Sequence, residues 1–363
     1  MRMIIAGGGT GGHLFPAIAL AEEMVQRSSK TEVLFIGVRN GIEARVLPDE
    51  GWPVRFITAE GVKGRGLMAL LRGVIKMTYG TVQSLGIIRG FKPSCVLGVG
   101  GYVSAPALIA ARLLGISTVI HEQNSMPGLA NRMLGKISHK VFLTYSGSKR
   151  FFFHEKVMIT GNPVRKKILD AFKTLDKSKS DDFTLFVFGG SRGAGKINDL
   201  APEAINEFDM KVKRELKVIH QTGSDDFKKV KKAYEKNGIN AEIHSFIKDM
   251  AQVYMEADLV ICRAGATTIS ELLVAGKPSL LIPYPFAADD HQRKNAEAVV
   301  AGGAAKMISE DHLSAKVLAG ELKGFYADKD GLADMAGKAK AMARPDASRL
   351  ICDEIERLVN GKV

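Results

Sequence analysis

The chain has 363 residues, 46% of them hydrophobic and 25% charged, a composition that suits two cores of roughly 150–200 residues and excludes disordered and fibrous classes. Three widely spaced cysteines, Cys95, Cys262 and Cys352, exclude a disulfide framework and suit a reducing compartment. Of the net charge of +12, residues 1–165 hold +11, with 20 Lys and Arg against 9 Asp and Glu, and the remainder holds +1; so one-sided a field implies an anionic partner, whether nucleic acid, an acidic membrane surface or a phosphorylated substrate.

In chain order, the apolar run MRMIIA predicts a first strand. It is too short for a secretory segment, and no run approaches the eighteen apolar residues of a spanning helix. GGGTGGH at 7–13 follows, then a helical pattern over Leu14–Val25 and a strand VLFIG at 33–37. Residues 61–92 carry six Lys or Arg and no acid. Within them Leu67, Leu71, Val74 and Ile75 fit one helical face with Arg72 and Lys76 beside it, the composition of a segment lying on an anionic bilayer or of a core helix with a wet basic edge. SCVLGVGG (94–101), a helical APALIAARLLG and STVIHEQN (117–124) continue the alternation of strand, loop and helix. That order predicts an α/β fold with a parallel sheet covered on both faces.

The pattern then restarts. The divide is expected between Pro163 and Asp182, around the charged LDKSKSDD. TLFVFGG (184–190) is a strand running into SRGAGK and a helix, KVIHQTG (217–223) is the next strand, and 257–285 reads strand, glycine turn, helix from about Thr267, stop at Gly276, strand. A final helix spans about 347–359. Ligands in such sheets sit beyond the carboxyl ends of the strands, so two such domains are expected to face each other across a cleft.

The glycine loops fit no common nucleotide motif fully. Gly7, Gly9 and Gly12 satisfy G-x-G-x-x-G, yet the second strand ends in Gly37 with Arg39 beyond it, where NAD binding wants a carboxylate; an NADP reading survives only through Arg39. GSRGAGK at 190–196 has P-loop spacing but is followed by Ile197 instead of the magnesium-binding hydroxyl. What remains is general: main-chain N–H groups at a helix start attract phosphate, and glycine lets it approach. His13 stands at such a start, where the helix dipole disfavours imidazolium and leaves a neutral ring able to take a proton.

The blocks GGGTGGHLFPAIALA, GVGGYVSAPALIAARLLG, HEQNSMPGLANR, GNPVR, GGSRGAGKIN, CRAGATTISELLVAGKPSLLIPYP and DDHQRKNA, in this order from residue 7 to about 296, resemble those of the MurG family of bacterial peptidoglycan N-acetylglucosaminyltransferases. The resemblance implies a GT-B type fold of two Rossmann-like domains: residues 1–165, joined by a C-terminal helix at about 343–360, and residues 166–342. It implies inverting transfer of GlcNAc from UDP-GlcNAc to the MurNAc C4 hydroxyl of undecaprenyl-pyrophosphoryl-MurNAc-pentapeptide (lipid I), giving the β-1,4-linked lipid II and UDP. Donor contacts carried over are Glu271 to the ribose hydroxyls and the Ile247 main chain to uracil. Arg165, Ser191 and the N–H groups of Thr267 and Thr268 fall to the pyrophosphate, and Asn124, Gln292 and Thr10 to the sugar, with Gly11 and Gly12 beside them. Arg293 stands where some relatives have a second glutamine, so an amide's paired donor and acceptor become donors only.

For the acceptor, Gly11, Gly12, His13, Gly100, Gly101 and Tyr102 are the expected pyrophosphate site, with His13 as catalytic base and Glu122 as its competitor. No resident cofactor or metal is expected, and divalent-ion dependence stays open. The implied partners are an anionic inner membrane surface, with the protein peripheral on its cytoplasmic side, and cell-wall or division proteins, but no nucleic acid. The rivals are a UDP-sugar 2-epimerase, an NADP-dependent oxidoreductase and a nucleic-acid binder.

Overall fold

The computed structural model describes residues 1–60, 67–173, 183–190 and 193–361, with the main chain alone for 67–72. The chain forms two compact units, Met1–Arg165 with Pro345–Val363, and Lys166–Arg344. LDKSKSDD lies outside the described residues.

The first unit is built on strands β1 (Arg2–Ala6), β2 (Glu32–Gly37), β3 (Val54–Phe56), β4 (Cys95–Gly98), β5 (Ser117–Glu122), β6 (Lys140–Leu143) and β7 (Val157–Ile159). They form one sheet in the order β3-β2-β1-β4-β5-β6-β7, and every neighbouring pair is parallel. Helices α1 (Gly11–Arg27), α2 (Glu43–Asp49), α3 (Leu67–Phe91), α4 (Ser104–Leu113) and α5 (Leu129–Ile137) connect them. Burial on both faces is why the strands read as unbroken apolar runs. In β1, Met3 and Ile5 enter a core with Leu20 and Met24 of α1, while Ile4 and Ala6 enter another with Leu108 of α4 and Leu134 of α5.

The C-terminal helix Ala347–Val359 closes the first of these cores with Ile351, Cys352 and Ile355. Arg27 pairs with Asp353 at 2.8 Å, and Lys140 with Glu354 at 2.8 Å. Apolar burial dominates the docking: each fully buried side chain contributes about 1.5–3 kcal/mol, against roughly 0–1 kcal/mol for a pair open to solvent.

The second unit repeats the plan with β8 (Phe183–Phe188), β9 (Leu216–Gln221), β10 (Ala241–His244), β11 (Leu259–Cys262), β12 (Ser279–Leu281) and β13 (Lys306–Met307), in the order β10-β9-β8-β11-β12-β13. Again every pair is parallel. Its helices include α6 (Lys166–Lys173), α7 (Gly195–Asn206), α8 (Met210–Glu215), α9 (Phe227–Lys236), α10 (Met250–Glu256), α11 (Ala266–Ala275) and α12 (His291–Ala301). In register, Ala6 lies beside Gly98 and Gly98 beside Ile120 in the first sheet, and Phe188 lies between Gln221 and Cys262 in the second. The loops that leave these strands are therefore gathered at one end of each sheet.

The glycines of these loops divide into two kinds. A Cβ on Gly8 would overlap the Glu43 carboxyl, and one on Gly193 would overlap the Thr222 carbonyl. A side chain on Gly9, Gly190 or Gly265 would meet open space or only the Thr268 hydroxyl at 3.7 Å. The first kind answers to the protein's own packing, and the second leaves main chain open to approach. Glu43 is fully buried, and its carboxylate accepts from Gly9 N–H at 2.9 Å and Val38 N–H at 3.0 Å. It joins the loops after β1 and β2. Replacing it by Ala strands two main-chain donors, which should cost about 3 kcal/mol. The check is a thermal melt of Glu43→Ala, in which the first unit's transition falls by roughly 6–12 °C.

Candidate active site

In the first unit the loops after β1, β4 and β5 converge. The backbone of Gly100 and Gly101 is left-handed, with φ of 98° and 76°. The His13 ring lies against them, close enough that a Cβ on Gly100 would stand 2.9 Å from its Cε1. Thr10 caps α1 in an extended conformation, and its side chain makes no capping hydrogen bond. Helix α1 thus begins with main-chain donors and His13 on its first turn. Tyr102 is half-buried beside this loop; burial, and then the Glu43 and Glu60 charges, push its hydroxyl up from the ordinary range.

His13 Nδ1 lies 3.1 Å from Gln123 Oε1. Gln123 Nε2 lies 2.9 Å from the Val99 carbonyl oxygen and 3.2 Å from His121 Nδ1, and His121 Nε2 lies 3.1 Å from the Gly161 carbonyl oxygen. Glu122, the other base candidate, is 1% exposed. Its Oε1 accepts from Asn124 N–H and the Asn124 amide at 2.9 and 3.1 Å, and its Oε2 from Gly128 N–H and the Asn131 amide at 3.2 and 2.8 Å. A carboxylate has about four lone-pair sites, and here four donors use them. Glu122 shapes the 123–131 loop and presents Asn124; Arg165 lies across the Phe15 ring at 4.7 Å.

The second unit has an equivalent arrangement. Gln221, buried after Ile219 and His220, donates to the Gly190 carbonyl at 3.1 Å and accepts the Ile247 N–H at 2.7 Å. One side chain so ties the loop after β8 to the loop after β10 and leaves Ile247 with its carbonyl to offer. Asn198 of α7 donates to the Thr222 carbonyl at 2.8 Å and to Asp226 at 2.7 Å. Helix α11 is capped by Gly265, which brings no side-chain acceptor, and the Ile269 N–H makes the first bond back to the Gly265 carbonyl at 2.9 Å. Thr267 and Thr268 sit on that first turn. One turn on, Glu271 is 4% exposed and accepts the Tyr254 hydroxyl at 3.2 Å.

Gln292 accepts the Tyr284 N–H at 3.0 Å through Oε1, which leaves its amide nitrogen to donate. Arg293 pairs with Asp290 and is half exposed. Asp289 and Asp290 before it both hold left-handed backbone, φ 52° and 54°, a conformation uncommon outside glycine that Asp adopts more readily than most residues. Ser191 lies outside the described residues. Among the described residues no group of three His, Cys, Asp or Glu side chains is placed to hold a metal ion.

The N-terminal domain of glycosyltransferase family 28 matches residues 3–143 and the C-terminal domain of that family residues 184–351. The crystal structure of MurG from Acinetobacter baumannii matches over 98% of this chain and 99% of that one, with a TM-score of 0.78 and 30% identity. A protein of Geobacter metallireducens, named as the UDP-N-acetylglucosamine--N-acetylmuramyl-(pentapeptide) pyrophosphoryl-undecaprenol N-acetylglucosamine transferase, is 48% identical over 98% of both chains. The chain belongs to the MurG family of glycosyltransferases. Its two units are the Rossmann-like halves of the family's GT-B fold. A UDP-GlcNAc 2-epimerase from Neisseria meningitidis bound to UDP-GlcNAc, at 14% identity and a TM-score of 0.69, shares that fold alone.

The MurG-family motifs therefore fall on both sheets. Gly11, Gly12, His13, Gly100, Gly101 and Tyr102 cluster in the first unit, which also carries Thr10, Asn124 and Arg165; Ile247, Thr267, Thr268, Glu271 and Gln292 belong to the second. Reading the sequence alone missed Glu43, His121, Gln123 and Gln221. Three of these sit where a buried apolar strand turns polar at its carboxyl end, which is a usable signal; Glu43 has none.

Two imidazoles in this scaffold are buried and neutral. Desolvation pushes His121 down to about 4 and His220 down to about 3 from 6.5. The unfolded chain takes these protons first, so stability present above pH 6.5 is lost as pH falls toward the folded values, by up to about 1.4 kcal/mol per histidine for each pH unit. Urea midpoints at about pH 7.5 and about pH 5 should show this loss in both units, and His220→Phe should flatten it in the second.

Proposed function

We propose that this chain performs the reaction its relatives are named for: transfer of GlcNAc from UDP-GlcNAc to the MurNAc of undecaprenyl-pyrophosphoryl-MurNAc-pentapeptide, forming lipid II. The observation that carries this is identity of 48% over 98% of the chain to a transferase so named, joined to a site of matching chemistry in each unit. The second unit takes the donor. Glu271 accepts the ribose hydroxyls, the Ile247 carbonyl meets the uracil N–H, and the glycine-capped start of α11 with Gly190 holds the pyrophosphate, where donors stabilise charge growing on departing UDP. Gln292 holds the sugar. Arg293, paired with Asp290, is left out of that set.

The first unit takes the acceptor pyrophosphate at Gly11–Gly12 and Gly100–Tyr102. His13 receives the C4 hydroxyl proton as that oxygen bonds to the anomeric carbon from the face opposite UDP. The bond from that carbon to the phosphate oxygen breaks, and its electron pair leaves with UDP. The β product follows from the α donor. Glu122, with four donors on it, positions the loop and Asn124. Transfer measured as UDP release should depend on a lipid-linked MurNAc acceptor, and acceptor-independent release or a 2-epimer product would sink the reading. Single-turnover transfer by His13→Ala should fall by roughly 10²–10⁴-fold; a loss under about tenfold is too small for a general base.

The acceptor's polyprenyl tail stays in the bilayer, and α3 supplies the contact. No helix among the described residues is long and apolar enough to cross a membrane. Val74, Ile75, Tyr79 and Val82 of α3 are each more than half exposed, and Lys76 of the same helix pairs with Glu60. The side chains of Leu67, Leu71 and Arg72 lie outside the described residues. An apolar stripe beside basic residues, in the half of the chain that carries the excess charge, supports peripheral binding to the anionic cytoplasmic surface of the cell membrane. Arg72→Gln with Lys76→Gln should weaken sedimentation with acidic vesicles by about 1 kcal/mol per charge; undiminished binding retires this surface.

A further inference from the structure

We propose that Gln123 and His121 are positioning residues that hold the His13 ring as its Nδ1–H tautomer and so leave Nε2 bare to accept the proton. The inference rests on the reading of His13 as the base and adds what orients it. Two main-chain carbonyls fix the direction of the relay, because a carbonyl oxygen can only accept. The Val99 carbonyl lies 2.9 Å from the Gln123 amide nitrogen, so the amide cannot be flipped, and its oxygen must point to His13. The Gly161 carbonyl lies 3.1 Å from His121 Nε2, so that nitrogen carries a hydrogen.

His121 has no exposed surface, and burial keeps its ring neutral. Its one ring hydrogen is already placed, so Nδ1 is bare and accepts the second amide hydrogen of Gln123 at 3.2 Å. Both hydrogens of that amide are now spoken for. Gln123 Oε1 has only lone pairs to offer, and the facing atom, His13 Nδ1 at 3.1 Å, must be the donor. A neutral imidazole has one ring hydrogen, so His13 Nε2 holds a lone pair. It has no hydrogen-bond partner among the described residues.

The alternative tautomer would set the Nδ1 lone pair against the Gln123 oxygen and present an N–H to the hydroxyl that must lose its proton. An unconstrained imidazole in water favours that unproductive form. The relay therefore selects the minority state before substrate arrives, as outer partners of catalytic and metal-binding histidines do elsewhere. All five groups belong to the first unit: Val99 follows β4, His121 and Gln123 lie at the end of β5, Gly161 follows the edge strand β7, and His13 opens α1.

The test is a long-range proton–nitrogen correlation spectrum of the full chain, with histidine labelled by nitrogen-15, at mildly basic pH. His13 is assigned by the signals lost in His13→Ala. His13 should show a protonated Nδ1 and a bare Nε2, and His121 the reverse; a His13 ring protonated at Nε2 overturns the proposal. In Gln123→Leu the His13 signals should move toward the other tautomer, with single-turnover transfer down roughly 10–100-fold and the Kd for UDP unchanged. An unchanged Nδ1–H signature or an unchanged rate in that variant also overturns it. Should Gln123→Leu fail to fold, Gln123→Asn, which withdraws the amide by one methylene, carries the same expectations. The two readings separate cleanly: wild-type transfer by His13→Ala removes the base and leaves the tautomer measurement standing, whereas an Nε2–H ring with inactive His13→Ala removes the relay alone.

Discussion

Buried carboxylates and amides that grip main-chain N–H and C=O groups at the strand ends are the constraint on which the remaining structure depends. A parallel sheet consumes its own main-chain groups, but the loops leaving its carboxyl edge do not, and each group there needs a partner or water. Glu43 supplies two bonds to the loops after β1 and β2, and Glu122 supplies four within the 122–131 turn. The loops are held open by their own packing, so the main chain that faces outward is already in place for the phosphates proposed to meet it.

The second unit meets the same need with two buried amides. Gln221 bridges Gly190 and Ile247, and Asn198 bridges Thr222, Asp226 and His220. The choice suits the proposed ligands. Near a nucleotide's phosphates a buried carboxylate would repel what the loop must attract, whereas an amide ties two loops together without adding charge. Glu271 is the exception, set one helical turn in from the cap of α11, where hydroxyl groups rather than phosphates are proposed to meet it.

Low dielectric makes these networks decisive in both directions. A buried amide with both hydrogens committed has one orientation, and the orientation of Gln123 passes on to an imidazole that is itself partly open to solvent. The ring proposed as the base is thereby held by Gln123 and His121 behind it.

Much of this was legible in the order of residues. The apolar runs of β1, β4, β5, β8 and β11 are continuous because a covered parallel sheet buries both faces, and a glycine-rich start follows β1, β8 and β11; these repeats carry the two-unit α/β plan, and the motif blocks carry the family. Short edge strands such as β3, β7 and β13, with three, three and two residues, leave no periodicity to read. Only the tertiary structure sorted the glycines into those that clear Glu43 or Thr222 and those that face open space, since that depends on residues distant in the chain. It likewise set the surroundings of His13 and Glu122 apart: hydrogen bonds from Asn124, Gly128 and Asn131 occupy the Glu122 carboxylate, while a contact across 110 residues joins the His13 ring to Gln123. Partners of that kind are set by which strands lie side by side, and no local pattern encodes it.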